Sequence, residues 1–136
     1  MRFFLVLLAV IATNVSYSET LTIATTEFTP PFVMPGNKPH QFYGFSIDIM
    51  SEVCKRIGAA CQYNPVDFKN IFAKVISGQA DLGLGNIGIT KERDKFVAFS
   101  LPYLSSQLQF ITLANSPITS LEKLRGKTVG TEEGTI

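Results

Sequence analysis

The chain has 136 residues, with 12 Lys and Arg against 11 Asp and Glu and a formal net charge of +1. So even a balance gives no electrostatic footprint for nucleic acid or for an anionic membrane surface. Apolar residues make up 46% of the chain, with eleven Phe and four Tyr, enough for a core in one domain of the usual size. The chain opens with the three-part pattern of a secretory signal peptide over residues 1–18: a basic Met1-Arg2, an unbroken apolar run from Phe3 to Ala12, and a small polar stretch ending in Ser16-x-Ser18. The run is too short for a spanning helix, which needs roughly 20 apolar residues. No cysteine stands just after the cleavage point to carry a lipid. A soluble product exported to a bacterial periplasm is expected, with no stable membrane insertion after cleavage.

Leu21 to Thr25 alternates apolar and polar residues and predicts a strand. A Pro/Gly-rich loop follows, carrying the sole histidine, His40. Ser46 then reads as the N-cap of a helix with Ile47, Met50, Val53, Cys54 and Ile57 on one face and Gly58 as its stop. "CQYNPV" predicts a second strand. Asp67 reads as the cap of a second helix with an apolar stripe of Phe68, Ile71, Phe72, Val75 and Ile76, ended by Gly78. "ADLGLGN" predicts a third strand, and Thr90 a cap for a short helix over "KERDKF". "VAFSLPY" is extended, Leu108 to Ala114 predicts a further strand, and "SPITSLEKLRGK" a short helix capped by Thr119 or Ser120 and stopped by Gly126. "KTVGT" predicts one more strand. Alternating strands and helices imply parallel pairing through right-handed crossovers, an α/β fold.

Cys54 and Cys61 stand seven residues apart, one late in a helix and one at the start of the next strand. In an oxidising compartment a disulfide around the Gly58 turn is the leading expectation, with two buried free thiols as the alternative. A metal site lacks support, since the only histidine sits in a loop, and no cofactor is expected.

"LGLGNIGITKER" contains a G-x-G-x-x-G in Gly83, Gly85 and Gly88. A dinucleotide fingerprint belongs at the first strand-helix turn, with an acidic residue about 20 positions on. These glycines fall at the third strand, and that count reaches Leu108 between two glutamines. One histidine also rules out Ser/His/Asp or Cys/His catalysis. Two readings remain for the stretch. The strand end with Arg93 could hold a carboxylate through two parallel hydrogen bonds, or the glycines ease packing and Arg93 pairs on the surface with Glu92 or Asp94.

Three stretches read together, "GFSIDIMSEVCKRIGAAC", "DFKNIFAKVISGQADLGLGNIGITKERDKFVAFSLPY" and "LEKLRGKTVGTEEGT", resemble the polar amino-acid-binding proteins of ABC importers, the family-3 periplasmic solute-binding proteins. The resemblance implies a type II periplasmic-binding-protein lobe, a mostly parallel sheet flanked by helices. Residues 19–110 would form lobe 1, and 111–136 the crossover and the start of an incomplete second lobe. It implies a free amino acid and a membrane permease as partners, and no nucleic acid. Matched residue by residue, Arg93 falls on the arginine that grips the α-carboxylate, Gly88 on a backbone N–H that helps it, and Asn86 on a carbonyl that receives the α-ammonium. Phe68 falls on an apolar wall, and Gly134 and Thr135 on a turn of lobe 2 facing the carboxylate. The cysteine spacing is similar to that of histidine- and lysine/arginine/ornithine-binding members, which carry a disulfide there. Against a cationic ligand, Thr26 stands where many members have Asp, and Thr29 where an aromatic stacks, with Phe28 as its substitute. Two rivals share the fold: a cyclohexadienyl dehydratase, for which Glu27 is the acidic candidate, and the ligand-binding lobe of a sensor or receptor.

Overall fold

The computed structural model describes residues 19–107 and 109–135; the expected signal peptide, residues 1–18, lies outside them. Strand β1 (Thr20–Thr25) is the centre of a three-stranded parallel sheet, flanked by β4 (Ala60–Pro65) and β5 (Leu82–Leu84). Ile23 pairs with Tyr63 on one side and Leu82 on the other. Asp81 fixes the entry to β5: its carboxylate accepts the Thr22 N–H at 2.8 Å and its own N–H donates back to the Thr22 carbonyl.

Successive residues of a strand face opposite sides, and β1 uses both. Ile23 packs with Tyr63, Leu84 and the inward residues Ile47, Met50 and Cys54 of helix α1 (Phe45–Ile57). Ala24 packs with Ile71 of helix α2 (Ile71–Ile76) and with Ala80. The result is a layer of helix on each face of the sheet. Burial pushes the Tyr63 phenol above its usual pKa, partly offset by its hydrogen bond to Ser51.

Ser46 is not the cap of α1. Gly44 takes that place, because the preceding loop supplies the partners: the amides of Phe45 and Ser46 donate to the carbonyls of Pro31 and Phe32, both at 3.1 Å. The loop approaches so closely that a Cβ on Gly44, whose φ is 125°, would lie 2.5 Å from the Phe32 oxygen. Ser46 is instead wholly buried within the first turn. That loop also holds a short antiparallel pair, β2 (Met34–Pro35) with β3 (Phe42–Tyr43), which its prolines had hidden. Gly58 ends α1 with φ 71°, as its position predicts.

The Cys54–Cys61 disulfide is formed, tying the last turn of α1 to β4. Closing so short a loop stabilises by about 2.5 kcal/mol in the chain-entropy account. Converting both cysteines to Ser is expected to lower unfolding free energy by that amount in urea titration, and an unchanged midpoint would contradict it.

The second helical stretch starts as a single 3-10 turn, Phe68–Asn70, before α2. Asp67 precedes it, but its carbonyl rather than its side chain takes the Asn70 N–H. Gly83 explains half of the glycine spacing. A Cβ there would meet the Ile71 Cγ2 at 2.8 Å, so glycine lets α2 lie on β5, whereas at Gly85 it would find ordinary contacts, the nearest at 3.7 Å. Gly83→Ala is expected to cost about 1–3 kcal/mol by overpacking, and Gly85→Ala much less; equal melting temperatures for the two would contradict this.

Beyond β5 the expected regular elements do not form. Thr90 accepts the Arg93 N–H as predicted, but it opens only the 3-10 turn Arg93–Lys95, and a second one spans Leu121–Leu124 after Ser120. The expected strand over Leu108–Ala114 is absent from its described residues, 109–114, and that over Lys127–Thr131 is absent as well. A strand needs a neighbour to complete its ladder, and the described residues place none there; Ile111 is 98% exposed.

Candidate functional site

Open parallel sheets bind ligands outside the carboxyl ends of their strands, where connections leave in opposite directions. Here β1 lies between β4 and β5, so the crevice falls beyond Thr25, Pro65 and Leu84. A cleft of about 710 Å³ opens there, lined by residues 26–29 leaving β1, residues 65–70 leaving β4, and Glu132 and Glu133. Its size suits a small molecule. Within it the Thr26 and Thr29 hydroxyls bond to each other at 2.7 Å. Four carboxylates, those of Glu27, Asp67, Glu132 and Glu133, line it against the single ammonium of Lys69.

Arg93 is aimed by the turn that Thr90 opens. Its Nη1 donates to the Gly88 carbonyl at 2.8 Å and its Nη2 to the Gly134 carbonyl at 2.7 Å. The guanidinium carbon lies 5.2 Å from the Phe72 ring centre and 5.9 Å from that of Phe68, within cation–π range. The ion pairs among the described residues join Glu52 to Lys55 and Arg56, and Lys69 to Glu133. Arg93 has no such partner, so the surface pairing with Glu92 or Asp94 does not form. A half-shielded guanidinium held by neutral carbonyls and aromatic faces, with no counter-ion among the described residues, can offer an incoming anion a bidentate fork.

The structure thus brings Arg93, Gly88, Phe68 and Gly134 together, while Thr26 and Phe28 line the adjoining cleft with Phe68. Asn86 lies exposed just past β5. Thr135 does not reach Arg93; its hydroxyl donates to the Glu132 carbonyl at 2.7 Å and closes its own turn. Sequence reading missed Phe72, whose place four residues after Phe68 on one helical face was a usable signal. It also missed Tyr103, whose hydroxyl donates to the Gly85 carbonyl at 3.3 Å and so ties the following segment to the end of β5. Lys69 and Glu133 carried no local signal, being 64 residues apart.

Residues 21–130 match the family model for bacterial extracellular solute-binding proteins, family 3. The chain is 30% identical over 129 residues to the putative ABC transporter arginine-binding protein 2 of Escherichia coli, covering 95% of this chain and 52% of that protein. A solved arginine transport system periplasmic binding protein from Legionella pneumophila superposes with a TM-score of 0.80 at 39% identity, over 87% of this chain and 52% of the other. An ancestral cyclohexadienyl dehydratase superposes with a TM-score of 0.55 at 29% identity, over 62% of this chain and 37% of the other. The chain therefore spans about half the length of the relatives it matches most fully.

Proposed function

Because the chain belongs to the bacterial extracellular solute-binding proteins, family 3, we propose that it binds a free polar amino acid outside the cytoplasm, as a receptor or part of one that feeds an ABC importer. The fold is that of a type II periplasmic binding protein. The observation that carries the ligand reading is Arg93, a guanidinium with no carboxylate partner among the described residues, placed by Gly88 and two aromatic rings at the strand ends. It would take the α-carboxylate, with Gly88, Phe68 and the Gly134–Thr135 turn around it. The carbonyl of Asn86, an exposed residue, and the Thr26–Thr29 hydroxyls would receive the α-ammonium. The side chain would then extend along the carboxylate-lined cleft past Phe28, which favours a cationic one, as the arginine-binding relatives suggest.

Titrating labelled protein with L-arginine, L-lysine, L-histidine and L-glutamate, and following amide shifts by NMR, tests this. The cationic amino acids are expected to move Gly88 and residues 66–70 in a saturable way. An equal response to L-glutamate would contradict the cationic assignment.

A second reading follows from the dehydratase neighbour, since Glu27 lines the cleft as an acid candidate. General acid catalysis needs its carboxyl held against the leaving group, and Glu27 is exposed. Binding without turnover is the expectation, and formation of phenylpyruvate from prephenate, or of phenylalanine from arogenate, would reverse it.

A further inference from the structure

The Gly134–Thr135 turn stands beside Arg93 with no strand or helix to carry it there, since the described residues 127–135 form neither. Among the described residues, the hydrogen bonds that tie this stretch to anything before Leu121 run from Arg93 Nη2 to the Gly134 carbonyl at 2.7 Å and from Lys69 Nζ to Glu133 Oε2 at 2.9 Å. We propose that Lys69 and Glu133 form a clasp that holds the turn against Arg93, which makes Lys69 a positioning residue for the ligand's carboxylate; the inference rests on the reading of Arg93 given above.

Lys69 follows Phe68 on the 3-10 turn Phe68–Asn70, so the segment that gives Arg93 one of its rings also anchors the Gly134–Thr135 turn. Gly134, with φ 84°, lies against the Lys69 backbone so closely that a Cβ would stand 3.3 Å from the Lys69 Cα. The Thr135 hydroxyl and amide both donate to the Glu132 carbonyl. The turn thus keeps its own shape, and a bond to Glu133 places the residues on either side of it. Contact with Gly134 leaves the grip open. Each terminal nitrogen of Arg93 carries two N–H groups, and one from each, to Gly88 and to Gly134, is used. The clasp also predicts an effect opposite in sign to that of charge alone. Four carboxylates line the cleft against the Lys69 ammonium, so removing that ammonium would by charge alone tighten the hold on a cationic amino acid, whereas releasing the turn weakens it.

Titration of the labelled chain with L-arginine, followed by NMR at Gly88, tests this in the wild type, in Lys69→Ala, in Lys69→Glu and in the reversed pair Lys69→Glu with Glu133→Lys. In the wild type, nuclear Overhauser contacts between Gly134 and Lys69 are expected with and without arginine. If arginine shifts Gly88 and those contacts are absent, the clasp is overturned and the ligand reading stands. If arginine shifts nothing, the ligand reading fails and the role of the clasp with it. Lys69→Ala is expected to weaken arginine binding by about two- to fivefold, the value of one exposed ion pair, with an unchanged melt because Lys69 lies outside both cores. Lys69→Glu is expected to weaken it as well, and the reversed pair to regain the wild-type affinity at the same net charge. Unchanged or tighter binding in Lys69→Ala, or a reversed pair no better than Lys69→Glu alone, would overturn the proposal.

Discussion

Arg93→Ala is expected to weaken amino-acid binding by at least about 3 kcal/mol, more than a hundredfold, with little change in the melt. The residue lies on a 3-10 turn outside both cores, so its loss leaves the folding contacts of the sheet in place. What disappears is a charge-assisted fork at the strand ends. Arg93→Lys keeps the charge but loses the planar pair of donors and the stacking on Phe68 and Phe72, and should fall between the two. Chemical-shift titration of the three proteins with L-arginine measures this, and an alanine variant with near-normal affinity would remove Arg93 from the site.

Ile71→Ala is expected to carry the largest effect on stability, about 2–5 kcal/mol. Ile71 is 1% exposed and forms the second core with Ala24 and Ala80, two residues too small to close a void. Its Cγ2 also fills the space that Gly83 leaves open, so α2 cannot settle onto β5 without a movement of backbone. Urea unfolding followed by circular dichroism reads the loss, and a change under about 1 kcal/mol would mean that α2 is not anchored there. Phe68 and Phe72 sit on the same helical stretch, so the variant should also loosen the seat of Arg93.

The elements legible from the sequence are those whose pattern is local. β1 and α1 carry their own periodicities, the Gly58 and Gly78 stops need only a positive φ, which both adopt, and the Cys54–Cys61 bridge needs one turn between helix and strand. Illegible features depend on what comes alongside. Ser46 has the chemistry of a cap, yet the loop carbonyls of Pro31 and Phe32 satisfy the first turn before it can act. Leu108 to Ala114 has the apolar run of a buried strand, but a run cannot say which strand would lie beside it, and among the described residues none does. In the site, the turn from Thr90 to Arg93 followed from spacing and the place of Gly88 from the family resemblance alone, and the structure adds the bonds from Arg93 to the Thr90 hydroxyl and the Gly88 carbonyl. The meeting of Arg93 with Gly134 and of Lys69 with Glu133 spans 41 and 64 residues and leaves no mark in any window of sequence.

The proposed role of Arg93 is to receive a carboxylate. L-arginine and agmatine carry the same guanidinium side chain, and only the first has a carboxylate beside its amine. Titrated into the same labelled protein, L-arginine is predicted to shift the Gly88 amide and the Arg93 side-chain Nε–H in a saturable way, and agmatine to leave both in place. Equal shifts from the two compounds would show that the carboxylate is not what the site holds, and would contradict the account.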